Sequence, residues 1–181
     1  MELQDQVELE PAPAGGRPHW KQHLWFLGVA ILVVALDQAS KHAVRATMDP
    51  RDFYPGDDWP VRFHYVTNTG AAFGILEDQT TFLVITSLLG IGAILFFYFT
   101  AFLRHWSFPL ALGMMLGGAA SNLADRIRLG EVTDFIDFPN YPSFNVADSA
   151  IVIAIMVLVG AYAFLPAGLR RKDSGVPAPP A

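Results

Sequence analysis

Four apolar segments, separated by polar connections, organise the chain. The first, residues 24–36, runs 13 residues without a charge. A spanning helix needs roughly 20 residues, so this one crosses a bilayer only by taking in Asp37 through about Val44, which puts Asp37 and Lys41 at the membrane edge. The second, residues 82–103, is uncharged throughout and is the clearest span. The third starts at Trp106 and is interrupted only by Ser107, Pro109, Ser121 and Asn122; Pro109 falls in its first turn, where proline is tolerated. The fourth starts at Ala147 and is closed by Pro166 and then Arg170-Arg171-Lys172. The predicted spans are 24–44, 82–103, 106–125 and 147–165.

The connections are unequal. The first, residues 46–81, contains Pro50, Pro55-Gly56, Trp59-Pro60 and Asn68-Thr69-Gly70, and its stretch 61–66 partly alternates apolar with polar, which predicts a small β element. Spans two and three are joined by little more than Arg104 and His105. About 20 residues containing Asp134 join spans three and four. Residues 1–19 and 169–181 read as disordered tails from their Pro-rich, polar composition, leaving one membrane domain over 20–168. The predicted fold is an all-α membrane protein, with four transmembrane helices and a small extracytoplasmic β element between helices 1 and 2.

This order places the end of span one, the end of span three, the start of span four and both longer connections on one membrane face. Lys and Arg tie between the two faces, so the positive-inside rule does not decide the orientation alone. The only basic cluster, Arg170-Arg171-Lys172, tilts it: both termini are expected in the cytoplasm and the polar face outside.

Composition narrows the classes. The chain is 52% hydrophobic with a formal net charge of −5, and no basic patch suggests nucleic acid. It has no cysteine, which excludes disulfides, cysteine nucleophiles and thiolate metal sites. Of the five histidines only His19 and His23 stand four apart, and they belong to the disordered or cytoplasmic end, away from the polar face, so no metal and no cofactor are expected.

Charged and amide side chains at membrane depth are costly and mark function by default. Asp37, Lys41, Asn68, Asn122, Arg126, Asp134, Asn145 and Asp148 all fall on the shared face. Each also has a structural reading. Asp37 and Lys41, spaced i, i+4 with the acid first, form a favourable helical pair. Asn145 and Asp148 sit where a helix N-cap is wanted. Arg126 can snorkel to the interface or grip a carboxylate. Gly113 and Gly117 form a small-xxx-small pattern suited to close helix packing in lipid. Two carboxylates held close share one proton, and an ionised and a protonated carboxyl together can hydrolyse a peptide by general acid–base catalysis. Asp134 and Asp148 are the favoured pair, although spacing alone does not say whether Asp134 or Asp137 meets Asp148.

Five ordered blocks carry a resemblance: Asp37-Gln38-Ala39-Ser40-Lys41; Asn68-Thr69-Gly70-Ala71-Ala72-Phe73; residues 117–126, ending Ser121-Asn122-Leu123-Ala124-Asp125-Arg126; Val132-Thr133-Asp134-Phe135; and Phe144-Asn145-Val146-Ala147-Asp148-Ser149. Together they resemble the lipoprotein signal peptidases (signal peptidase II), four-span bacterial membrane aspartic proteases. The resemblance covers roughly residues 24–165. It implies that Asp134 and Asp148 are the catalytic dyad, and that Asp37, Lys41, Asn68, Asn122, Arg126 and Asn145 shape the site and hold the substrate backbone. Gly70 is expected to permit a turn across the site, with Phe73 touching lipid. The implied substrate is a diacylglyceryl-prolipoprotein in the bacterial inner membrane, cleaved just before its lipidated cysteine by a monomer surrounded by membrane lipids. One departure is Ser121, where the family usually has Gly. A small transporter and a non-catalytic assembly subunit are the rival classes. The first would want charges near the midplane and paired repeats; the second leaves the two aspartates unexplained.

Overall fold

The computed structural model describes residues 20–164 except 51, 57, 71–78 and 101–104. The expected tails, Phe73 and the end of the predicted domain at 165–168 lie outside the described residues. Four long helices, α1 Trp20–Thr47, α2 Thr80–Thr100, α3 Ser107–Leu129 and α4 Val146–Phe164, carry one sheet of four short strands.

The helices α1, α2 and α4 are long and apolar enough to cross a membrane. The first begins four residues earlier than its uncharged run suggests, because Trp20 and Lys21 continue the helix as an amphipathic flank. The third differs in kind. It packs against all three of the others, so many of its positions face protein, and Gly117, Gly118, Ser121 and Asn122 are buried where lipid-facing helices carry Leu or Phe. Small and polar residues at these contacts make its sequence less apolar than a lipid-facing span. Gly130, at φ 81°, ends α3 in the left-handed conformation, its N–H donating to the Arg126 carbonyl at 3.1 Å. The helix therefore continues beyond the predicted 125 and carries Asp125 and Arg126 as its last full turn begins.

Close approach in the bundle depends on glycine at three positions of α3, Gly113 against the Phe26 carbonyl oxygen of α1 and the adjacent Gly117 and Gly118. A Cβ at Gly117 would stand 2.6 Å from the Ala30 carbonyl oxygen of α1, and one at Gly118 would stand 2.6 Å from the Ala147 carbonyl oxygen of α4. Backbone cannot yield cheaply at that distance, and overpacking of this kind costs about 1–3 kcal/mol. Gly118→Ala is expected to lower the midpoint of thermal unfolding by several degrees. Gly90→Ala, at a position on α2 with nothing within 4 Å, should leave the midpoint unchanged or raise it, since alanine is the better helix former. Differential scanning of the two variants in one detergent compares them directly.

The sheet corrects the prediction of a β element confined to the first connection. Strands β1 Phe53–Tyr54 and β2 Arg62–Asn68 do come from there, but β3 Val132–Phe138 and β4 Tyr141–Phe144 come from the connection between α3 and α4. All neighbours are antiparallel in the order β1-β2-β3-β4. The register sets Val66 opposite Asp134 and Asn68 opposite Val132, so the first connection delivers Asn68 beside the acid of the last. Val132, Thr133, Asp134 and Phe135 are all buried. The polar residues of β3 therefore face protein rather than solvent, and the strand lacks the apolar-in, polar-out alternation of a half-exposed strand.

Candidate active site

Three helix ends and two strands converge at the sheet end of the bundle. The start of α4 is built first by its own sequence. Asn145 Oδ1 accepts the Asp148 N–H at 3.0 Å, and Asp148 Oδ2 accepts the Asn145 N–H at 3.3 Å. This is a reciprocal capping arrangement with Asp in the third helical position. The capping reading of these residues is thus correct, and it leaves Asp148 Oδ1 free to face inward. A further N–H of the first turn, that of Ala147, donates to Asp37 Oδ1 of α1 at 2.8 Å.

Lys41 is fully buried and forms ion pairs with Asp37 at 2.7 Å and Asp125 at 2.9 Å. Its ammonium also donates to Asn122 Oδ1 at 2.7 Å. That bond decides how the amide points. With its oxygen taken by a cation, Asn122 turns its NH₂ to Asp148 Oδ1 at 2.8 Å. The same logic governs Asn68, whose Oδ1 accepts the Gly70 N–H at 3.0 Å while its Nδ2 donates to Asp134 Oδ2 at 2.9 Å. Asn145 completes the set: its Oδ1 caps α4 and its Nδ2 donates to Asp134 Oδ1 at 2.7 Å. Every carboxylate oxygen of Asp134 and Asp148 therefore faces an N–H.

Asp134, Asp148, Asn68, Gly70, Asn122 and Arg126 line one cavity of about 500 Å³, closed by β4 (Tyr141 to Phe144) and bordered along α4 by Val152 and Ile153. The Arg126 Nε is buried without a hydrogen-bond partner among the described residues, so it is a donor available to this cavity. Asp137 is placed elsewhere. It forms an ion pair with Arg62 and accepts the Ser143 hydroxyl at 2.8 Å, bracing β2, β3 and β4. The alternative left open by spacing is resolved by the strand: three residues apart, Asp134 and Asp137 do not share a face.

Burial pushes Asp134 up to about 6 from its ordinary 3.8, and the charge of Asp148 adds to the rise; the amides of Asn68 and Asn145 and the charge of Lys41 pull the other way. A carboxyl raised in the folded state binds its proton more tightly there, so its stabilising contribution is present at low pH and is lost as pH rises through about 6. The unfolding midpoint of the intact chain should therefore fall, relative to that of Asp134→Asn, between about pH 4 and pH 7. Parallel thermal melts across that window measure the difference.

Seven of the eight polar residues expected on the shared face meet in this one network, Gly70 joins them, and the eighth, Arg126, lines the same cavity. Other members were not singled out as site residues, Asp125 beside Lys41 among them. Gln38 donates to Ser121 Oγ and Asp125 Oδ1, each at 2.9 Å. The Ser121 hydroxyl donates to Asp37 Oδ2 at 2.7 Å, so it adds hydrogen bonds instead of crowding the helix contact. Arg45 donates to Thr133 Oγ1 at 2.8 Å beside Asp134. Gln38 and Ser121 are signalled only by standing next to Asp37 and Asn122 in the sequence, and Arg45, one turn beyond Lys41, carries no such signal.

A family model described as signal peptidase (SPase) II matches residues 29–164. The chain belongs to the signal peptidase II family. It is similar to the lipoprotein signal peptidase of Moorella thermoacetica, 41% identical over 148 residues that make up 82% of this chain and 98% of that protein. It is also similar to the lipoprotein signal peptidase of Shouchella clausii, 39% identical over 128 residues, 70% of this chain and 85% of the relative. Among solved structures, one described as a bacterial membrane enzyme superposes with a TM-score of 0.71 at 29% identity, covering 84% of this chain and 94% of that one. As a signal peptidase II, the chain is a membrane peptidase, and the polar cavity at the helix ends is its candidate active site.

Proposed function

We propose that the chain is an aspartic endopeptidase that removes the signal peptide from diacylglyceryl-modified prolipoproteins, with Asp134 and Asp148 as its dyad. The observation that carries this reading is the pair of acids from separate elements, facing one cavity, with each oxygen held by an oriented amide or backbone N–H. Such a pair holds one proton between two carboxyls. The ionised member takes a proton from a water lodged between them as that water attacks the scissile carbonyl carbon. The protonated member donates to the carbonyl oxygen. Return of a proton to the leaving nitrogen breaks the C–N bond, freeing the signal peptide's carboxyl end and the amine of the lipidated cysteine. The buried Arg126 Nε–H is aimed at a substrate backbone carbonyl.

The setting suits such a substrate. Its cleavage site lies at the end of a membrane helix next to two acyl chains, and the cavity opens beside Val152 and Ile153 of the apolar α4. In this reading α3 crosses the membrane with the other three helices, a monomer suffices because one chain supplies both aspartates, both termini are cytoplasmic, and the cavity sits at the outer face of the bacterial inner membrane. The test is incubation of purified protein in detergent with a diacylglyceryl-prolipoprotein, with mass spectrometry of the products. Cleavage immediately before the modified cysteine is expected, with the unmodified precursor left intact. Equal cleavage of both precursors would overturn the substrate assignment.

A further inference from the structure

The cluster under Asn122 continues one layer away from the cavity. Asp125 is 2% exposed on α3 and does not line the cavity. Its Oδ1 accepts Gln38 Nε2 at 2.9 Å, and its Oδ2 is ion-paired with the Lys41 ammonium at 2.9 Å. Gln38 also reaches the Ser121 hydroxyl and carbonyl, and that hydroxyl holds Asp37. Lys41 thus has two buried carboxylates around it where one would balance its charge. A surplus buried carboxylate is costly, so its presence calls for a use.

We propose that Asp125 is a positioning residue for the reaction: with Gln38 it anchors the Lys41 ammonium under Asn122, and it offsets the part of the Lys41 charge that would otherwise reach the dyad. The proposal rests on the aspartic peptidase reading above. Its geometry is specific to a carboxylate. One oxygen faces an amide NH₂ and the other an ammonium, so an asparagine would turn its own NH₂ against one of them. The charged groups acting on Asp134 and Asp148 are Lys41, Asp37 and, through Thr133, Arg45 from α1, with Arg126 from α3, while Asp125 of α3 stands behind Lys41 and Arg126; β2 presents the neutral Asn68, since its Arg62 is paired with Asp137. Of the two carboxylates on Lys41, Asp37 also accepts the Ala147 N–H of α4, whereas Asp125 is bonded, among the described residues, to Lys41 and Gln38 of α1.

Asp125→Asn is expected to lower kcat about tenfold with KM changed less than about twofold, because no substrate contact is lost. The acid limb of its pH–rate profile should move to lower pH, since Lys41, less well neutralised, favours the ionised dyad. The sharper test is a double-mutant cycle with Lys41→Met, read by thermal unfolding. Lys41→Met alone strands two carboxylates and should lower the midpoint strongly. Adding Asp125→Asn, which lowers the midpoint in the parent, should raise it in the Lys41→Met background by about 5 °C. Additive losses, or an unchanged pH profile with unchanged kcat, would overturn the proposal. Where Lys41→Met cannot be purified folded, the pH profile of Asp125→Asn decides. The thermal cycle needs no substrate, so failure of the peptidase reading, seen as absence of cleavage by the folded parent, is told apart from failure of this coupling.

Discussion

Asp134→Asn and Asp148→Asn are each expected to reduce turnover by at least about 10³-fold while leaving the fold intact, since the acid–base step loses one of its two partners. The size follows from how little else in the cavity can substitute. Asn68, Asn122 and Asn145 are amides, Arg126 stays cationic, and Asp137 is engaged by Arg62 and Ser143. An asparagine at 134 would set its NH₂ against the NH₂ of Asn68 or Asn145, both of which point at that carboxyl. Some loss of packing order therefore accompanies the chemical loss, and Asp→Asn at 148 meets the same problem with Asn122. Binding should survive, because backbone recognition through Arg126 is untouched. The measurement is single-turnover cleavage of the diacylglyceryl-prolipoprotein, with substrate retention followed separately by co-purification. Cleavage surviving at parental rates in both variants would move the chemistry away from this pair.

The second large effect falls on a residue that does not line the cavity. Asp37→Ala removes the acceptor for the Ala147 N–H, the Ser121 hydroxyl and one ion pair of Lys41 together. Breaking a buried pair by deleting one partner costs about 3–5 kcal/mol. That should appear as a fall in the unfolding midpoint of about 10 °C. Turnover should fall as well, by about 10²-fold, because the first turn of α4 carries Asp148 and loses a tertiary contact one residue before it. Asp37→Asn is expected to retain part of the stability and less of the activity, since an amide can accept from Ala147 or face Lys41, but not do both and still receive Ser121. A midpoint within 2 °C of the parent for Asp37→Ala would mean that the buried pair contributes no net stability.

Much of this site was readable before any coordinates. The polar residues at the ends of the apolar segments, and their gathering at one end of the helix bundle, follow from the order of the segments. Asp37 with Lys41, and Asn145 with Asp148, are local pairs whose spacing is set by the helix repeat, and both form as that repeat requires. What was not readable is long-range. Strand β3 was hidden because Thr133 and Asp134 face buried partners and so break the usual alternation. The choice between Asp134 and Asp137 depends on strand pairing with Arg62 and Val66, which no local pattern encodes. The direction of each asparagine amide depends on Lys41 and on the Gly70 and Asp148 N–H groups. The role of Asp125 carries no local signal, because its ion pair is with a residue of a different helix.

The i, i+4 placement of Asp37 and Lys41 has a consequence for how the chain is made. Lys41 meets Asn122 across 81 residues, and Asp37 meets Ala147 across 110. Helices emerge in order during synthesis, so the first must enter the bilayer well before either partner exists. An acid alone or a lysine alone would resist that step. Side by side one turn apart, the two travel as a neutral couple, and the first helix can wait in lipid until the third and fourth arrive to claim the same two side chains for the finished enzyme.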